Sequence, residues 1–473
     1  MRTHSDKPAA VALGNILLVA VLLLGFLHWS PPAGAQQESD EIVDEILRMA
    51  RGLAGGEAGH TNPDALVRQE LPRVEDISGM KARTSIRARM ASRDEARAHV
   101  RAAIDEQLPP SRLIPMEAAW RALGLLTANA SLAAEIEKLY GNQAGGYYDP
   151  ATATLVLLRD IPVMVQATVI RHELVHALQD QHWNLKKWLG DATEDEDRGA
   201  AIQAVLEGHA NDVMNRVSMG GLNLDALLES NPEIAELLGS SSSPGSELLG
   251  SDELSALGLD GSFAAQMVPR GTPPALAAQM LFPYLIGSTF ISSYRENHPE
   301  DPSCTKLYKR PPQTTAEVID PRLWEQGGAR ATLSKPGTFL PGYSLVYHSS
   351  LGRLLTRVVL TGVGDPAAGD VSAGLWDGKY RDRNVALGGG WRGDRVAVYS
   401  RGSSKSGMNV PDPEIVIWCS EWSGPEEAGQ IARVLRRRLP WAHILRRGQR
   451  IDAILAAADR DSARILEALS TWN

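Results

Sequence analysis

The chain is poor in cysteine, with 2 in 473 residues. That excludes a disulfide-built scaffold and a cysteine-rich zinc or iron–sulfur site. It also lacks an excess of positive charge. Lys and Arg number 48 against 57 Asp and Glu, and the formal net charge is −9. This argues against nucleic acid as the main partner, because phosphate binding needs a basic surface. Long apolar runs are scarce as well. One, at the N-terminus, is long enough to cross a bilayer, so a multi-span membrane protein is excluded. No internal repeat is present. What remains, 43 % hydrophobic and 22 % charged, is the composition of a globular chain with room for two or three domains.

Arg2 and Lys7 precede an apolar run from Ala9 to Leu27, followed by Pro31-Pro32 and Ala33-Gly34-Ala35. A positive start, an apolar middle and a small-x-small site make residues 1–35 a secretory signal peptide. The proline pair ends the helix, so that the cleavage segment lies extended. The length of the apolar run leaves an uncleaved N-terminal membrane anchor as the alternative. Either way the bulk of the chain is expected to be exported, periplasmic or extracellular. There Cys304 and Cys419 either bridge or stay as two separate thiols.

Residues 36–130 are expected to form an N-terminal helical region, in which Arg, Glu and Asp alternate with Ala, Leu and Met. The period then changes. Gly145 to Leu158 predicts strand, turn, strand, with the turn at Asp149-Pro150. Helices are predicted from about Val163 to Gln181, with Asp160 as a plausible N-cap, and from Asp197 to about Val217. Gly239 to Ser262, rich in Ser, Gly and Leu, reads as a flexible insertion. Helical patterning returns at Ala275–Tyr294. Residues 331–473 read as an α+β unit, with strand-like runs at Arg395–Tyr399 and Glu414–Trp418 and a helix at Glu426–Arg437. Trp391, Trp418, Trp422 and the arginine-rich stretch from Arg433 to Arg450 suit either a solvated surface or a binding module.

The segment Arg171-His172-Glu173-Leu174-Val175-His176-Ala177-Leu178-Gln179-Asp180-Gln181-His182 carries the chemistry. His172 and His176 are four apart on a predicted helix, so both imidazoles project from one face and can grip one Zn²⁺. Glu173 is placed to take a proton from water at the metal without being a ligand. Two residues compete as third ligand. His182 has metzincin spacing, but Gln179 stands where the helix-breaking Gly is needed. On an unbroken helix His182 faces about 240° away from His176. Glu207, in Ala204-Val205-Leu206-Glu207-Gly208-His209-Ala210-Asn211-Asp212, is the better candidate, because a return helix can bring its carboxylate to both imidazoles. Asp212 is the runner-up. Asn211 and Gln203 are candidates to support a ligand histidine, and His209 is expected at the surface or in a pocket wall. Tyr147, Tyr148, Tyr284 and His348 are candidate oxyanion donors.

These motifs resemble those of a group of largely uncharacterised bacterial zincin-like proteins of gluzincin type. The resemblance rests on His172 to His182 and Glu207 to Ala210. It extends to Gly146–Pro150, Phe282–Gly287, Pro311–Glu317 and Gly390–Arg395. His209, where an Asp is common, departs from the pattern. The resemblance implies an α+β fold. Residues 131–330 would form a mostly helical, zincin-like catalytic domain with a small β-sheet, followed by the C-terminal α+β unit. It implies a zinc metallopeptidase acting on a peptide or protein substrate, with Glu173 as base, and the Thr154–Leu158 strand pairing with an extended substrate. The rival expectation is a non-catalytic exported protein that binds zinc or a partner.

Overall fold

The computed structural model describes residues 62–143, 145–161, 163–190, 195–218, 271–328, 342–361, 389–401 and 413–456, with positions 333 and 465. The segments expected to be a signal peptide, 1–35, and a flexible insertion, 239–262, lie outside the described residues.

The N-terminal half opens with α1 (Pro63–Ser78). Its start is fixed by Asn62, whose side chain accepts from the Asp64 and Ala65 backbone N–H groups, and its end by Gly79 at φ 67°. Strand β1 (Arg87–Ala91) follows, then α2 (Arg93–Gln107), α3 (Pro110–Ala122) and α4 (Leu132–Gln143). A reciprocal Ser92–Glu95 capping box begins α2. The expected hairpin is present as β2 (Gly146–Asp149) and β3 (Thr154–Leu158), antiparallel across the Asp149-Pro150 turn. The two expected motif helices are α5 (Val163–Trp183) and α7 (Glu196–Ser218), with the short α6 (Leu185–Gly190) between them.

The sheet here has the order β1-β3-β2, with β1 parallel to β3. Two expectations change. Residues 87–91, expected within a helical region, are a strand, because β3 offers Arg87–Ala91 a complete backbone ladder that local patterning does not reveal. The expected boundary near 130 therefore runs through a shared sheet. In addition, β3 is the central strand and is paired on both edges, so it offers none to a substrate.

The second half contains α8 (Pro274–Asn297), the short helices α9 (Thr305–Lys309), α10 (Thr315–Ile319) and α11 (Pro321–Glu325), then β4 (Ser344–Ser349) and α12 (Gly352–Thr361). It ends with β5 (Trp391–Ser400), β6 (Ile415–Trp422), α13 (Pro425–Arg438), β7 (His443–Arg447) and β8 (Arg450–Ala456). These strands form one antiparallel sheet in the order β4-β5-β6-β8-β7. The whole is α+β. One hydrophobic cluster runs from Ala91 to Leu455 and joins the helices of the first half to the second sheet. Trp391, Trp418 and Trp422 are buried in it, so they form no docking surface. Cys304 and Cys419 are free, buried thiols in different clusters. Among the described residues, α8 is the one helix long and apolar enough to cross a bilayer by length and composition. Yet 67 % of its most apolar window is buried inside the molecule, which marks a core helix.

Two contacts set the position of α7. At its middle, α7 and α8 meet backbone to backbone. A Cβ on Gly208 would lie 2.3 Å from the Gly287 carbonyl oxygen, and one on Gly287 would lie 2.4 Å from that of Ala204. At its start, Asp197 accepts from the Thr315 backbone N–H at 2.7 Å and hydroxyl at 2.6 Å. Next to it, Asp195 takes Arg395 and the Ser350 hydroxyl, both at 2.9 Å. Burial pushes the Asp197 carboxyl up to about 8, against its hydrogen bonds from Thr315.

Alanine at Gly208 gains about 1 kcal/mol of helix propensity. The two helices must nevertheless part to admit its methyl, so Gly208→Ala is expected to destabilise by about 1–3 kcal/mol net in urea unfolding. Asp197 yields a pH dependence. Folding raises its pKa, so the folded chain keeps a proton that the unfolded chain releases above about pH 4. Its contribution is then largest in acid and is lost as pH rises through about 8. Melting temperatures should fall between about pH 4 and 8 and level off above, with a shallower fall in Asp197→Asn.

Candidate metal centre

Helix α5 runs antiparallel to α7. Arg171, near the start of the motif, bonds Ser218 at the end of α7, whereas Gln179 bonds the Leu206 carbonyl. On the sheet side, Gly146 brings β2 down onto α5, since a Cβ there would lie 2.7 Å from a Val169 methyl. Between these layers His172, His176 and Glu207 converge as a buried group that can hold a metal ion. His172 Nε2 lies 3.0 Å from His176 Nε2 and 3.2 Å from Glu207 Oε2. His176 Nε2 is 3.5 Å from the same oxygen. A tetrahedral ion with bonds of about 2.0–2.1 Å needs its ligand atoms about 3.3 Å apart, so two imidazoles and a carboxylate at these separations fit.

The cluster's electrostatics follow from burial. None of His172, Glu173, His176 and Glu207 is more than 2 % exposed. Burial holds the His172 pKa down to about 4. Burial would also depress His176, but the charges of Glu207 and Glu173 reverse this and lift it to about 9. Burial alone would raise Glu207. The His176 charge and bonds from both imidazoles instead hold it below the ordinary carboxylate range. Glu173, with one carboxylate oxygen buried and unbonded, is pushed up to about 8 by burial. The His176 charge and the Tyr148 backbone N–H pull it the other way. A cation entering the triad therefore competes with a proton on His176.

The remaining candidates fall elsewhere. His182 Nε2 bonds the Lys81 carbonyl at 2.8 Å, well away from the triad, as the unbroken helix requires. Asp212 pairs with Arg216 at 3.0 Å and Arg295 at 2.6 Å, so it is no ligand. Asn211 donates to Ser288 on α8 at 3.3 Å and does not bond an imidazole. Neither does Gln203. Of the two positions expected for His209, surface or pocket wall, the surface is excluded: it is fully buried and no ligand, with Nδ1 2.9 Å from the Tyr308 hydroxyl. Tyr147 stacks on His99, with ring centroids 4.3 Å apart. Tyr148 donates its hydroxyl to Asp180 at 2.9 Å. Tyr284 is core, and His348 sits on β4 of the second sheet.

Two residues were not foreseen. Gln179 Oε1 accepts from His176 Nδ1 at 2.8 Å, and its Nε2 donates to the Leu206 carbonyl at 3.0 Å. The first bond places the His176 proton on Nδ1 and leaves Nε2 free to ligate. The second ties that imidazole to the turn that carries Glu207. Tyr308, stacked on Trp183 with centroids 5.1 Å apart, lies next to Gln179. The three-residue spacing from His176 was the available signal for Gln179. The other is Tyr140 on α4, half-buried, whose ionisation is opposed first by burial and then by the Glu207 charge. It carries no local motif.

Comparison with protein-family models, with curated proteins and with solved structures gave no match. The supporting role of Gln179 is open to direct measurement. Gln179→Ala is expected to weaken zinc binding about 10- to 100-fold in chelator competition. His182→Ala should leave it unchanged.

Proposed function

We propose that this chain is an exported, zinc-dependent peptide hydrolase of zincin-like, gluzincin-type fold. One observation carries the reading. Two histidines on α5 and a glutamate on α7 bring their ligand atoms within 3.5 Å of one another, with a non-ligating carboxylate, Glu173, next to them in sequence. Export is supported by the charged start, apolar run and small-x-small segment of residues 1–35.

His172, His176 and Glu207 would hold the zinc. When bound, zinc supplies Lewis acidity toward water and a scissile carbonyl. Glu173 accepts the proton of the attacking water and returns it to the leaving amine. Burial keeps its proton affinity near the neutral range that such a two-way role needs. Tyr140, half-buried on α4 within the field of the Glu207 charge, is the hydroxyl we assign to the developing oxyanion, in place of the four candidates named from sequence.

Substrate pairing falls to β2 rather than β3. The Leu158 N–H bonds the Gly145 carbonyl, so by the alternation of an antiparallel ladder the backbone groups of Gly146 and Tyr148 point off the unpaired edge. That edge faces Glu173, and an extended peptide added there would lie along the proposed base.

A second reading, an exported metal-binding protein without catalysis, is favoured by the near-complete burial of all four side chains. Substitution of the base separates the two. Zinc-loaded wild type should cleave a peptide library or casein. Glu173→Gln should keep its zinc and lose about 10²- to 10⁴-fold in rate, and Tyr140→Phe should lower kcat more than KM. Loaded wild type that cleaves nothing selects the second reading.

A further inference from the structure

Helix α12 is buried at every position except Arg353, Arg357 and Thr361, which recur every fourth residue as one half-buried outer stripe. Polar and charged residues are ordinary on such an outward stripe, but like charges one turn apart oppose each other. Here it carries two guanidinium groups one turn apart. The Arg357 Nε is buried with no hydrogen-bond partner. Burial lowers the pKa of Arg357, and the charge recorded next to it is that of Arg353, of the same sign. Arg353 is likewise held down by burial, with Asp320 and Glu427 as its counter-charges and no hydrogen bond among the described residues. At the far end of the stripe Arg438, from α13, donates to the Thr361 carbonyl. Glu427 at the start of α13 and Arg438 at its end thus meet the two ends of the stripe, so α12 and α13 run side by side in the same direction.

Two partly desolvated like charges one turn apart, of which Arg357 has no counter-charge of its own, are unfavourable for the protein alone. They become favourable when one multiply charged oxyanion accepts from both forks, since a guanidinium matches phosphate oxygens in pairs. We propose that Arg353 and Arg357, with Arg438 at the rim, form a binding site for a phosphate group. The site lies on the outer face of α12, apart from the His172–His176–Glu207 centre, and does not depend on the function assigned to that centre. A half-buried stripe, with the arginine stems packed down, suits a free phosphate entering a recess. A phosphate presented on a lipid surface would use the same contacts.

The test is calorimetric titration of the full chain with inorganic phosphate at low ionic strength. Saturable binding is expected for wild type. It should weaken at least tenfold in Arg353→Gln and Arg357→Gln and stay unchanged in Arg433→Gln, a control on the exposed face of α13. Arg357→Lys keeps the charge but not the fork, and should fall between wild type and glutamine. Melting without phosphate checks the fold: Arg357→Gln should be at least as stable as wild type, since it loses an unpaired buried charge. Co-sedimentation with phosphatidylglycerol vesicles, against phosphatidylcholine, identifies the source. Vesicle binding lost in Arg357→Gln indicates a lipid phosphate, and phosphate binding without vesicle binding indicates a free anion. Absence of saturable phosphate binding by folded wild type, or equal binding by folded Arg357→Gln, overturns the site.

Discussion

The constraint on which the rest of this molecule depends is the burial of a carboxylate between two imidazoles. Glu207 is almost without solvent, and among the described residues its carboxylate meets His172 at 3.2 Å and His176 at 3.5 Å and pairs with no lysine or arginine. A buried charge of this kind is costly unless it is paired and held in place. Several features not required by the fold alone follow from it. The two histidines must sit on one face of one helix, and that helix must lie antiparallel to the one bearing Glu207. The separation of the helices must also be fixed to a few tenths of an ångström. The glycine contact between α7 and α8 does this from behind, and the Gln179 bridge does it from within.

The residues after the second histidine show how one short motif distributes this work. Gln179 fixes the tautomer of His176. Asp180 takes the Tyr148 hydroxyl and the Leu185 backbone N–H, joining β2 to α6. Gln181 accepts from the Arg83 and Thr84 backbone N–H groups, and His182 bonds the Lys81 carbonyl. Two of these four side chains, Gln181 and His182, therefore pin the loop that leads into β1, while Asp180 holds β2, so the small sheet is tied to α5 from both sides. The motif extends beyond the two histidines because the sheet must be held against the same helix as the ligands.

Much of this was legible in sequence because it is local. The hairpin around Asp149-Pro150 and helices α5 and α7 are patterns of period two and 3.6, and the choice of Glu207 over His182 follows from counting degrees around a helix. What escaped was set by distant chain. β1 is a strand because β3 lies beside it. His209, polar and two residues from Glu207, is buried because Tyr308 receives it, and Asn211 turns to α8 instead of a ligand histidine. Tyr140 precedes the motif, and the field of Glu207 reaches it only in three dimensions. The two cysteines could not be paired or separated by spacing, yet each packs into a different core cluster.

The second sheet belongs to the same constraint. Its tryptophans looked like the anchors of a separate binding module, but Trp418 donates its indole N–H to Asp394, which also accepts from the backbone N–H groups of Leu351 and Gly352. Gly352 in turn is pressed against Asp197, where a Cβ would collide with the carboxylate. Asp197 lies on the first turn of α7, and Arg395 of β5 pairs with Asp195 just before it. Sheet, loop and helix start thus form one chain of buried hydrogen bonds that sets where α7 begins, while the glycine contact sets where its middle lies. A helix fixed at two points has little freedom to rotate or slide, and Glu207 sits between them. The C-terminal region therefore acts as a brace for the helix that carries the third ligand. A chain cut between the two halves would lose the position of Glu207 before it lost the helix itself.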